Sequence, residues 1–273
     1  MRFAKAEALG NDFILVEASA LRGRPASWAR KLCDRCSGVG ADGLLLIGRS
    51  RSALHMRIFN ADGSEAELSG NGLRCVVAYA CWRGWARSRE LSIRTKAGPV
   101  LQRLHFRGGR LVAVTSLLAA ARFPSAPQPP LVALQGRRQR PLLVDVGNPH
   151  AVLEVRRFEP ERFRCAGAAL ERARNFPRGL NVEFARQRGP NRIEIWIWER
   201  GVGETRASGS GAAAAYAALR SRGRVGPNAQ VRMAGGVLRV AEEGGRLAVT
   251  GPAHIQFFGE WVSGAAPGRR IRG

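Results

Sequence analysis

No apolar run in the sequence approaches the ~20 residues a helix needs to cross a bilayer. The start, Met1-Arg2-Phe3-Ala4-Lys5, carries no apolar core of the secretion-signal kind, so a cytoplasmic, membrane-free protein is expected. Lysine is scarce. Lys5, Lys31 and Lys96 are the only ones among 44 basic residues, and acids number 21, leaving a formal charge of +23. A basic surface is the footprint of nucleic-acid binding. An Arg-, Ala- and Gly-rich chain poor in Lys is equally what a GC-rich genome encodes, and the arginines are scattered, so no nucleic-acid partner is expected. Cysteines are few and odd in number: Cys33, Cys36, Cys75, Cys81 and Cys165. Their spacing matches no secreted disulfide framework, so free thiols are expected. No second pair or His cluster completes Cys33-x-x-Cys36 into a zinc site, which reads as two small side chains in a helix-to-loop segment and no metal centre. Neither a Walker nor a Rossmann glycine signature is present, which argues against a nucleotide cofactor.

What is present is enough for a sizeable core: 273 residues, 45% hydrophobic and 24% charged, expected to form one large or two smaller α/β domains. The breaker-rich run from Phe123 to Pro130 separates two segments of similar character. Short apolar strands are expected at Gly43 to Ile47, Met56 to Phe59, Leu142 to Val146 and Ile193 to Trp198. Helical stretches are few. The clearest, Leu73 to Trp82 and Ala212 to Leu219, are apolar almost all round, which predicts helices buried on every side.

The two segments repeat one another. Laying Asn60–Tyr79 on Glu199–Ala218 aligns Glu65 with Glu204, Ser69 with Ser208, Gly70 with Gly209 and Gly72 with Gly211. Gly10-Asn11 recurs as Gly147-Asn148 at nearly the same offset. The order Gly-Asn, then Ser-Gly-x-Gly opening a buried helix, thus occurs twice. A duplicated unit follows, with strands wrapped round a central helix in each half and the two helix starts facing across a cleft.

A helix start offers unpaired N–H groups and partial positive charge, and glycine lets an anion approach the backbone closely. Two converging starts would hold one carboxylate from both sides and place Ser69 and Ser208 beside the carbon that bears it. Ser is also a preferred N-cap, which accounts for one such residue without any chemistry; the matched pair is what points to function. Asn11, Asn60, Asn71, Asn148 and Asn181, with the adjacent Glu199-Arg200 read as a buried ion pair, add a polar pocket suited to an amino-acid-like ligand.

These blocks, joined by Gly38-Val39-Gly40-Ala41-Asp42-Gly43, Asn60-Ala61-Asp62-Gly63-Ser64-Glu65, Gly147-Asn148-Pro149-His150, Asn181-Val182-Glu183-Phe184 and Glu199-Arg200-Gly201-Val202-Gly203-Glu204-Thr205, resemble the diaminopimelate epimerase family. The resemblance implies an α/β (α+β) fold of two pseudo-symmetric halves, each a barrel-like sheet around a central helix. It implies a first half of residues 1–117, completed by a C-terminal strand at about 260–273, and a second half of residues 118–259. It also implies a homodimer and interconversion of LL- and meso-diaminopimelate without pyridoxal phosphate or metal.

In that family two cysteines, one at each helix start, serve as thiolate base and thiol acid on opposite faces of the α-carbon. Here those positions are Ser69 and Ser208. The resemblance places His150 and Glu199 as tuners of the acid/base pair. It puts the distal amino-acid end of the substrate on Asn60, Asn181, Glu199 and Arg200, with Asn11 and Asn148 lining the site. The reacting carboxylate would lie on backbone around Gly70, Asn71, Gly209 and Ser210. An alcohol is a far weaker acid than a thiol of pKa ~8.5, and helix dipoles of ~0.3–1 kcal/mol do not close that gap, so the serines predict crippled proton transfer. Deliberate replacement, natural divergence and degeneration all fit the two serines. The alternative function is a non-catalytic or altered-chemistry paralogue that binds a diamino acid.

Overall fold

The computed structural model describes residues 1–50 and 53–262. Its first half runs β1 (Arg2–Ala8), β2 (Asn11–Glu17), α1 (Pro25–Cys33), β3 (Gly43–Arg49), β4 (Leu54–Asn60), β5 (Glu65–Ala66), α2 (Gly70–Trp82), β6 (Glu90–Thr95), β7 (Gly98–Arg107) and β8 (Arg110–Leu118). After the proline-rich crossing and a small hairpin of β9 (Val132–Leu134) and β10 (Arg137–Gln139), the same order returns. It comprises β11 (Leu142–Asp145), β12 (Pro149–Glu154), α3 (Pro160–Glu171), β13 (Asn181–Gly189), β14 (Arg192–Glu199), β15 (Gly203–Thr205), α4 (Gly209–Ser221), β16 (Asn228–Met233), β17 (Gly236–Glu243) and β18 (Arg246–Gly251). A last strand, β19 (His254–Glu260), closes the chain.

The pairings duplicate as the order does. β2 and β3 are parallel, as are β12 and β13; β4 runs parallel to β6 across α2, as β14 does to β16 across α4. Antiparallel β8 and β18 join the two sets into one 17-stranded sheet. The strand expected at about 260–273 forms earlier, because β19 pairs with β1 through Arg2↔Glu260 to Glu7↔His254; residues 263–273 lie outside the described residues.

Alternation along the strands builds the layers, since successive side chains point to opposite faces. Leu45 and Ile47 of β3 join the large core around α2 and α4, while Leu44 and Leu46 pack outward with Ile14, Ala29, Leu32 and Phe59 beneath α1. On β13, Val182 and Phe184 face Phe163 and Leu170 of α3, which leaves Asn181 and Glu183 on the face toward α4. Every residue from Asn71 to Ala80 is buried, as are Gly209 and all of Gly211–Leu219, as the all-round apolar pattern predicts. Burying each Leu or Val side chain contributes roughly 1.5–3 kcal/mol. α1 and α3, which the sequence did not make prominent, each bury only three residues, a stripe too thin to stand out in an Arg-rich segment.

Candidate active site

The two central helices meet at their N-terminal ends. Ser69 caps α2 with φ −138° and ψ 117°, and its Oγ accepts from the Gly72 amide at 3.0 Å. Ser208 caps α4 with φ −138° and ψ 124°, and its Oγ accepts from Gly211 at 3.1 Å. Beyond the caps, Gly70 and Gly209 nearly touch: a Cβ built on Gly209 would lie 3.4 Å from the Gly70 Cα. The first amides of an α-helix have no intrahelical acceptor, so two sets of donors and two positive dipole ends converge on one spot.

That spot is the floor of a cleft of about 690 Å³. Asn11, Asn60, Ser69, Gly70, Asn71, Asn148, Asn181, Glu199, Arg200, Ser208, Gly209 and Ser210, all named from the sequence, line it. His150, also named, does not reach the cleft surface; it is fully buried behind the wall, with Nδ1 2.7 Å from Glu183 Oε1 and Nε2 3.0 Å from Asn148 Oδ1.

Hydrogen bonds hold the amides in place. Asn71 Nδ2 donates to Asn11 Oδ1 at 3.1 Å and to the Ala207 carbonyl at 3.2 Å, tying the first half to the residue before Ser208. Asn11 Nδ2 in turn donates to Asp42 Oδ2 at 2.6 Å. Asn181 Nδ2 donates to the Pro149 carbonyl, and its Oδ1 accepts from the Arg200 amide at 3.1 Å. The Asn60 amide group donates to Ser64 Oγ. Glu199 and Arg200 do not form the expected ion pair: Arg200 Nη1 turns to the Arg178 carbonyl at 3.1 Å, because neighbouring side chains at a strand end point apart.

Burial raises the carboxyl of Glu199 above its ordinary value. The Ser208 and Thr205 hydroxyls that face it pull the other way, Glu183 adds to the rise and His150 opposes it. Burial also raises Glu183, against the charge and hydrogen bond of His150. Burial thus shifts both carboxyls toward their protonated forms. Nearby cysteines are shifted the same way. Cys33 borders the cleft and Cys75 lies within α2, and burial pushes each thiol up to about 12, so neither supplies a thiolate in place of the serines.

Sequence reasoning missed Glu183, Thr205 and Arg74. Glu183 had a signal in hindsight, sitting two residues after Asn181 on the inward register of a strand. Arg74 had another, a lone charge in an otherwise apolar helix. A second hollow of about 750 Å³, edged by Arg188, Arg192 and Arg239, contains no acid, nucleophile or helix start.

Comparison with known proteins covers nearly all of the chain. The family model for diaminopimelate epimerase matches residues 3–120 and 142–255. The diaminopimelate epimerase of Pelotomaculum thermopropionicum is 39% identical over 276 residues, covering 96% of this chain and 99% of its own length. That of Desulforudis audaxviator is 38% identical with the same coverage. Among solved structures, a hydroxyproline epimerase from Agrobacterium vitis with bound trans-4-hydroxy-L-proline superimposes with a TM-score of 0.74 at 19% identity, covering 95% of this chain and 91% of that one. A predicted epimerase from Pseudomonas aeruginosa gives 0.71 at 18% identity, covering 96% and 99%. These likenesses in structure establish the fold.

Proposed function

The chain belongs to the diaminopimelate epimerase family, and we propose that its cleft holds one end of 2,6-diaminopimelate between Ser69 and Ser208 as the site of an amino-acid isomerase. The observation that carries this reading is the matched pair of capped helix starts, whose hydroxyls lie at one cleft floor on either side of the Gly70–Gly209 contact. The reacting carboxylate sits on the free amides of Gly70, Asn71, Gly209 and Ser210. Asn60, Asn181 and Arg200 take the distal amino-acid end.

Epimerisation breaks the Cα–H bond on one face, passes the proton to a base, and returns a proton from an acid on the other. Glu199 stands behind Ser208, and His150 with Glu183 stands behind the wall near Asn148. With an alcohol in each acid/base position the transfer is slow. A second reading, a protein that binds a diamino acid without inverting it, draws support from the same fact, because each hydroxyl is also occupied as a helix cap. Incubation with LL- or meso-diaminopimelate in deuterated water separates the two: α-deuterium in recovered substrate supports the isomerase, and binding without exchange supports the second reading.

Three wider assignments belong to this proposal. The halves divide near residues 117 and 118, with β19 returning to the first. The protein is a cytoplasmic enzyme supplying lysine and peptidoglycan precursors. It is a homodimer joined through the face of β19 on which Phe258, 43% exposed, stacks at 3.9 Å on Trp82, 57% exposed.

A further inference from the structure

The first turns of α2 hide a charge to which, among the described residues, no carboxylate is paired. Arg74 has no exposed surface. Its Nη2 donates to Asn71 Oδ1 at 2.5 Å, its Nη1 to the Gly70 carbonyl at 3.3 Å and its Nε to the Pro252 carbonyl at 3.1 Å. All three acceptors are neutral. Among the described residues no carboxylate pairs with this guanidinium; the acid whose charge reaches it, Glu7, is engaged with the Gly10 amide at 2.9 Å. Burial accordingly pulls Arg74 down from its ordinary value.

An isolated buried cation is costly, and other positive charge surrounds this one. The N-terminal ends of α2 and α4 each carry about half a unit charge. A Cβ on Gly209 would lie 3.7 Å from Arg74 Nη1, so the guanidinium stands directly behind the floor of the cleft. Glu7 offsets it only without an ion pair or hydrogen bond to the guanidinium, Glu183 is bound to His150, and burial shifts both Glu183 and Glu199 toward their neutral forms. Such an arrangement lacks one anion, and the open side of the glycine pair is where it would enter.

We propose that Arg74 is a positioning residue whose buried charge is balanced by the reacting carboxylate of the ligand, acting through the Gly70–Gly209 cradle rather than by touching the reacting carbon. The proposal rests on the reading of the cleft as a diamino-acid site. It assigns carboxylate selectivity at the reacting end to a side chain that does not line the cleft. A purely structural Arg74 would instead influence all ligands alike.

The test compares meso-diaminopimelate with L-lysine, which is the same skeleton lacking one carboxylate, by calorimetric Kd on the unaltered chain, Arg74→Met and Arg74→Lys. Arg74→Met should weaken diaminopimelate by about 10- to 100-fold, the range for losing a charge-assisted contact, and leave L-lysine within about twofold. Arg74→Lys should retain most of the preference. Equal weakening of both ligands, or of neither, overturns the proposal. So does an Arg74→Met protein that fails to fold while Arg74→Lys folds, because the charge would then be needed by the empty protein. If the unaltered chain binds neither ligand, the diamino-acid reading falls, and the cradle is probed with acetate. Arg74 keeps its role if acetate raises the melting temperature of the unaltered chain and not of Arg74→Met, and loses it otherwise.

Discussion

Ser69 and Ser208 share one backbone conformation to within 7° in ψ, and each hydroxyl accepts from the amide three residues on. They are superimposable caps on helices that both span 13 residues. Converting both to cysteine keeps the geometry and substitutes a far stronger acid on each side. Ser69→Cys/Ser208→Cys should increase α-deuterium exchange of diaminopimelate by at least about 100-fold, the lower end for a general acid or base. Each change also weakens a cap by about 1 kcal/mol, visible in urea unfolding. A double variant that binds but exchanges no faster would remove the cap residues from the chemistry.

Arg200 donates its guanidinium to a backbone carbonyl and edges the far side of the cleft. If it grips the distal amino-acid end, Arg200→Met should raise Kd for diaminopimelate and L-lysine alike, by about 10- to 100-fold. Calorimetry on both ligands checks this, and a selective effect would place Arg200 at the reacting end instead.

Glycine at position 211 makes room for a carboxylate. A Cβ there would lie 2.7 Å from Glu183 Oε1, displacing the buried partner of His150. Gly211→Ala should cost about 1–3 kcal/mol in chemical denaturation. Gly70→Ala, whose Cβ meets nothing nearer than the Gly209 Cα at 3.5 Å, should cost less.

Asp12 ties β2 to the cleft edge through Arg35 Nη2 at 2.8 Å and Lys5 Nζ at 2.5 Å. Burial alone would raise its carboxyl, but the hydrogen bonds and charges of Arg35 and Lys5 win and hold it at about 2, below the ordinary 3.8. A depressed carboxyl lends stability above its ordinary value that is lost as pH falls through the folded one. Denaturant unfolding between about pH 4 and pH 2 should therefore lose stability steeply, and Asp12→Asn should flatten that slope. Glu183 and Glu199, raised by burial, act with the opposite sign, so Glu199→Gln should make the empty fold more stable at neutral pH.

The aromatic patch of Phe258 and Trp82 supplies the test of assembly. Phe258→Asp/Trp82→Asp should shift sedimentation from twice the chain mass to the 29.6 kDa of one chain. A protein already at that mass without the changes would refute the dimer.

Much of this was legible in the residues because duplication is a strong signal. One offset brought Ser69 onto Ser208 and Gly72 onto Gly211, and apolar positions all round each helix forecast burial of both. The asparagines were legible as a set, since five amides beside glycine turns are more than turns require. Less was legible where partners come from distant strands. Nothing local couples His150 to Glu183, 33 residues away, or Arg74 to Pro252, and adjacency wrongly suggested that Glu199 and Arg200 pair. The surface helices α1 and α3 bury too little to impose a period, and the closing strand was expected too late because the residues that pair with β1 precede position 261.

The return of β19 to β1, clasped by bonds between the Met1 amine and the Trp261 carbonyl and between the Trp261 amide and the Met1 carbonyl, sets the order in which a nascent chain matures. A ribosome makes β1 before, and β19 after, all the other strands of the described residues. Strand β1 therefore lacks this partner until the growing chain has passed Glu260, by which point every strand from β2 to β18 has been made.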